Sequence, residues 1–151
     1  MNTKILKTLS SLFLFIFLSN ELLADQGISS DQILIGMHTD ISGPASMIGK
    51  QSVDGANMRF SEFNENGGAY GRKVKFIVED HQYTVPRAVQ AANKLLRKDK
   101  IAFMMGSLGT PMNNAVMTDQ LAMNVPNLFP LTAARSMFDP FDRLKFTSGS
   151  T

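Results

Sequence analysis

The chain has 151 residues, of which 44% are hydrophobic and 19% charged, with a formal net charge of +2. That balance excludes a chain disordered throughout, and the length suffices to bury a core. The absence of cysteine excludes disulfide staples, a thiol nucleophile and a cysteine-borne lipid anchor.

Residues Met1–Ala24 begin with Lys4 and Lys7, continue through the apolar run Leu12-Phe13-Leu14-Phe15-Ile16-Phe17-Leu18, and close on Leu22-Leu23-Ala24. A basic start, a short apolar stretch and a small terminal residue describe a secretory signal. The run is too short to span a bilayer, which needs about 20 apolar residues. Export is therefore expected, with cleavage after Ala24. Losing Lys4, Lys7 and Glu21 lowers the net charge by one, so no strong charge points to a partner. The cluster Lys94-Leu95-Leu96-Arg97-Lys98-Asp99-Lys100 reads as the solvated end of a helix, where cations favour the dipole. No basic stripe of the kind nucleic acid requires accompanies it.

Short apolar runs then alternate with amphipathic ones. Ile33–Met37 is a continuous apolar strand, as expected when both sheet faces are covered. A helix over about Gly49–Asn66 sets Val53, Ala56, Phe60 and Phe63 on one face and stops at Asn66-Gly67-Gly68. Lys73–Asp80 alternates as a second strand. Val85–Lys98 is a second helix, with Val85, Ala88, Val89, Ala92, Leu95 and Leu96 turned inward. Ile101–Gly106 is a third strand with Met104 and Met105 in the core, and Pro111–Met123 a third helix. Val125–Pro130 and Lys145–Thr147 read as further short strands. This alternation implies an α/β fold: a three-layer parallel sheet with helices on both faces.

Ligands of such sheets bind beyond the carboxyl ends of the strands. Four loops lie there: Thr39–Gly49, Asp80–Val85, Gly106–Pro111 and Pro130–Arg135. In the third, Thr110 suits a helix N-cap and Pro111 the first helical position, while Gly109 allows close approach to the backbone. Amides at a helix start beside a hydroxyl can bind a carboxylate or phosphate. Spacing leaves two readings open for Thr110, ligand contact or simple cap. Thr132 supplies a second hydroxyl in the fourth loop. Asp40 and Asp80 end strands and read as turn residues, since a metal site would need a third ligand at set spacing. His38 and His81 read as lone, locally packed histidines, with no arrangement completing a catalytic triad. Tyr83 could stack on a ligand or lie on the surface. No dinucleotide or nucleotide-triphosphate loop is present, and nothing points to a cofactor, a metal or an enzyme.

An ordered set of residues resembles the amino-terminal lobe of the branched-chain amino-acid binding proteins, the extracytoplasmic receptors of ABC importers. It comprises Ile33–Met37, Ser42-Gly43-Pro44, Gly55-Ala56, Phe63-Asn64-Glu65-Asn66-Gly67-Gly68, Gly71-Arg72-Lys73, Glu79-Asp80 and Ala91-Ala92-Asn93-Lys94-Leu95. It continues with Gly109-Thr110-Pro111, Val125-Pro126 and Phe129-Pro130-Leu131-Thr132-Ala133-Ala134. The resemblance covers nearly all of Asp25–Thr151 and implies a periplasmic-binding-type fold, of which this chain carries the first lobe only. It implies that Thr110 and the Leu131, Thr132 and Ala133 loop hold a ligand carboxylate, with Leu108 and Gly109 lining the same wall. Ile48 stands where the early loop usually lends an aromatic contact, and Tyr83 where the second loop contributes. Ala133 falls where many amino-acid binders offer a hydroxyl, so the implied ligand is an amino acid, branched-chain or related, or a similar small carboxylate. The implied partner is a membrane ABC permease. A ligand-sensing domain of a signalling receptor with the same fold is the alternative. The expected organisation is an export signal over residues 1–24 and a truncated first lobe over 25–151.

Overall fold

A computed structural model of the chain describes residues 26–147; the expected export signal lies outside them. Five parallel strands form one sheet in the order β2-β1-β3-β4-β5. They are β1 (Gln32–Thr39), β2 (Lys73–Asp80), β3 (Phe103–Met105), β4 (Asn127–Leu128) and β5 (Lys145–Phe146). Between them run α1 (Ser46–Glu65), α2 (Val85–Asn93), which continues as a π-helical turn over Lys94–Lys98, and α3 (Thr110–Ala122). The α/β expectation with a parallel sheet therefore holds. The last two strands are shorter than their apolar runs suggest, two residues each.

The helices divide between the two faces, as side-chain alternation along a strand requires. Phe76 of β2 meets Phe60 of α1, with ring centroids 5.2 Å apart. Its neighbour Ile77 points the other way, onto the main core of Ala92, Leu95, Leu96, Ile101, Met104, Val116 and Val125. So α1 covers one face, and α2 with α3 covers the other. The register is continuous between β1 and β2, from Gln32 opposite Lys73 to Thr39 opposite Asp80.

Two expectations need correction. Val85 and Val89 are exposed, and the inward stripe of α2 is Ala88, Ala91 and Ala92. Small side chains there let the helix lie close to the sheet. The inward face continues at the same spacing to Leu95 and Leu96, within the π turn. Lys94 at this turn sits 2.5 Å from Glu79 of β2 and 2.9 Å from Asp99. The Glu79 contact, then that of Asp99, raises its pKa above the ordinary lysine value. The second correction concerns Met105, which is only half-buried, whereas Met104 is fully enclosed.

The strand order positions the site. From β1 the chain moves outward to β2, then crosses back to place β3 on the opposite side of β1. The loops leaving β1 and β3 therefore diverge to opposite faces, opening the crevice where doubly wound sheets receive ligands.

Candidate functional site

Thr110 does not cap its helix. Gly109 occupies the N-cap position at φ +95°, and Thr110 and Pro111 are the first two helical residues. The left-handed backbone at 109 frees the Thr110 side chain, whose hydroxyl is hydrogen-bonded to that of Thr132. The first bond of the helix runs from the Asn113 amide to the Gly109 carbonyl at 3.0 Å. The amides of Thr110 and Met112 lie before it, and Pro111 contributes none.

The third and fourth loops are tied into one unit. Leu108 and Leu131 form a parallel bridge. Across it the Leu131 amide donates to the Ser107 carbonyl at 2.9 Å and the Gly109 amide to the Leu131 carbonyl at 3.3 Å. Buried Asn113 donates to the carbonyls of Ser107 and Gly109, each at 2.9 Å. The Ala134 amide donates to the Thr132 hydroxyl at 3.2 Å, which turns the chain and leaves Ala133 exposed.

The second loop reaches the same place. Gln82 and Tyr83 are consecutive residues in the left-handed region, at φ +49° and +57°, a conformation costing roughly 1–3 kcal/mol per non-glycine residue. Hydrogen bonds hold it: the Gln82 amide donates to Asp80 Oδ1 at 3.0 Å, the Tyr83 amide to His81 Nδ1 at 3.0 Å, and the Thr84 amide to the His81 carbonyl at 2.9 Å. The Tyr83 ring thereby lies against Gly109, so close that a Cβ there would fall 3.3 Å from it. Leu108, Gly109, Thr110, Leu131, Thr132 and Tyr83 are thus brought together. Ile48 lies in the first turn of α1, more than half exposed.

Asp40 and Asp80 organise loops, as expected of turn residues. Asp40 accepts the Gly43 and Ala45 amides at 2.5 and 2.7 Å. Asp80 accepts the Ile41 amide at 2.9 Å and the Ser42 hydroxyl at 2.6 Å. Partial burial pushes the Asp80 carboxyl up, but the Ser42, Ile41 and Gln82 hydrogen bonds outweigh it and hold it below the usual range. Among the described residues no three acidic or imidazole groups gather to hold a metal ion.

The histidines are not lone. His38 and His81 are both fully buried, with ring centroids 5.4 Å apart. Burial and the neighbouring His81 lower the His38 pKa to about 3. Burial likewise lowers that of His81, although its contact with Leu108 and the charges of Asp40 and Asp80 act the other way. Neither residue's place was signalled by the sequence, because the pairing depends on β1–β2 register and on the fold of the second loop.

The strand-end loops of this doubly wound sheet thus converge on paired hydroxyls at a helix start. A family model described as a periplasmic binding protein matches residues 32–140, and the chain belongs to that family. It is 32% identical over 102 residues to a Leu/Ile/Val-binding protein, BraC3, of Rhizobium johnstonii, covering 68% of this chain and 27% of that protein. To the leucine-specific-binding protein of Salmonella typhimurium it is 30% identical over 87 residues, covering 58% and 23%. The chain spans about a quarter of the length of these curated relatives. In fold it resembles a substrate-binding periplasmic protein from Ralstonia solanacearum, with TM-score 0.71 and 24% identity over 77% of this chain and 33% of that one. It also resembles the branched-chain amino acid transporter substrate binding protein LivJ of Streptococcus pneumoniae in complex with isoleucine, with TM-score 0.62 and 21% identity over 65% and 28%. No helix among the described residues is long and apolar enough to cross a membrane.

Proposed function

We propose that this chain is the amino-terminal lobe of an exported solute-binding protein that delivers an amino acid, branched-chain or related, to an ABC permease. Residues 1–24 act as its export signal, which puts the lobe in the periplasm or an equivalent extracytoplasmic space. It works by binding alone. One observation carries the reading: the Thr110 and Thr132 hydroxyls meet at the first turn of α3, beside the amides of Thr110 and Met112. A carboxylate arriving there would replace the hydroxyl–hydroxyl bond with two hydroxyl donors and gain the helix amides, which the helix dipole favours. Leu108, Gly109, Leu131, Ala133 and Tyr83 would line the wall, and Ile48 would meet the ligand from α1. The names of the Rhizobium and Salmonella relatives, a Leu/Ile/Val-binding and a leucine-specific-binding protein, support an aliphatic amino acid.

Titration of the 15N-labelled chain with millimolar L-leucine tests this. The Thr110, Met112 and Thr132 amide resonances should move, and binding should be weak because one wall alone holds the ligand. Thr110→Ala should cost about 1–3 kcal/mol, the value of a hydrogen bond to a charged group. Isoamylamine, which is leucine without its carboxylate, should leave those resonances in place. If isoamylamine and leucine shift them equally, the carboxylate assignment is wrong.

A further inference from the structure

We infer that His81 is a positioning residue that sets two loops of the candidate wall at once, through a neutral imidazole with its proton on Nε2. That these loops form a binding wall rests on the function proposed above; the relay itself rests on hydrogen-bond chemistry. The Tyr83 amide can only donate, so His81 Nδ1, 3.0 Å away, accepts. The Leu108 carbonyl can only accept, so Nε2, 3.2 Å away, carries the proton. A single tautomer satisfies both partners. One contact fixes the left-handed Tyr83 in the second loop; the other fixes the carbonyl preceding Gly109 in the third.

The rest of the surroundings agree. His81 is also anchored to β1, its amide donating to the Thr39 carbonyl at 2.8 Å. The titratable groups facing it are His38 from β1, Asp40 from the loop after β1, Asp80 from β2 and Tyr83 from its own loop. From α3, uncharged Asn113 braces the same third-loop backbone through the Gly109 carbonyl. An imidazolium has no acceptor, so protonating His81 removes the Tyr83 bond. Burial makes that protonation harder than for an ordinary histidine, so the relay should persist below pH 6.5 and fail on stronger acidification.

The test is NMR on the full 15N-labelled chain without ligand. At pH 7 the His81 imidazole should show an unprotonated Nδ1 and a protonated Nε2, and a protonated Nδ1 would overturn the inference outright. His81→Asn keeps an acceptor near Nδ1, and His81→Gln keeps a donor near Nε2. Tyr83 amide exchange should therefore quicken about tenfold or more in His81→Gln and His81→Phe but little in His81→Asn. Gly109 amide exchange should quicken in His81→Asn and His81→Phe. Acidification should release the Tyr83 amide of the wild type in step with imidazole protonation, an effect absent from His81→Asn. Unchanged Tyr83 exchange in a folded His81→Phe would also overturn it; should the variants not fold, the wild-type ring nitrogens decide. None of these readouts involves leucine, so failure of the titration above would remove the carboxylate site and leave this relay standing.

Discussion

His38 carries two buried ring nitrogens with no hydrogen-bond partner, which makes it an acid-sensitive point of the core. Its folded pKa of about 3 lies below its ordinary 6.5. The unfolded chain therefore takes up a proton first, and stability falls as the pH drops below about 6.5. The slope is at most about 1.4 kcal/mol per pH unit for each histidine so held. Asp80, also lowered, begins to contribute only near the carboxylate range, so urea unfolding at pH 7 and pH 5 isolates the imidazoles. His38→Phe should flatten the difference between the two. An unchanged slope in that variant would show that His38 is not its source. The residue scale is also where sequence reading fell furthest short. Thr110 has the chemistry of a cap, but whether it caps depends on the φ of Gly109, which no side-chain pattern records. The pairing of His38 with His81 required strand register and a turn built from residues 80–84.

At the scale of elements, α1 docks through one of its two glycines. A Cβ on Gly49 would lie 1.8 Å from the Asp40 carbonyl oxygen, whereas one on Gly55 would meet nothing within 4 Å. Gly49→Ala must lever the start of α1 away from β1 and should destabilise by about 1–3 kcal/mol. Gly55→Ala, on the exposed side of the same helix, should stabilise by about 0.5–1 kcal/mol. Urea midpoints of the two variants should therefore move in opposite directions, and a shared direction would refute the docking geometry. Elements were the most legible level. The run Ile33–Met37 and the alternation of Lys73–Asp80 identify strands because burial on two faces or one writes a distinct pattern. The face of α2 was read slightly off its centre: the buried stripe is Ala88, Ala91, Ala92, Leu95 and Leu96, and Val85 and Val89 lie outside it. Val85 and Val89 share the helical spacing of that stripe and so looked inward, yet both are exposed.

For the molecule as a whole, order should decline from the centre of the sheet to its edge. β1 is paired on both sides and buried from Ile35 to Thr39, while β5 is a two-residue edge strand. Amides of Ile35–Met37 should exchange slowest and those of Lys145 and Phe146 fastest. Equal rates at centre and edge would contradict this gradient. The doubly wound topology was legible because alternating strands and helices admit few arrangements. The convergence of three loops on Thr110 and Thr132 was legible only in part: the strand-end rule selects the loops, but not which of their side chains touch.

The second loop divides its labour between shaping its backbone and presenting a surface. Its backbone is held by Asp80 and His81, which accept the amides of Gln82 and Tyr83, while the Tyr83 ring is turned toward Gly109. Contact surface and scaffold are thus encoded by different residues. Exchanging the aromatic for another side chain changes the surface that the loop presents while the Asp80 and His81 contacts to its backbone amides remain.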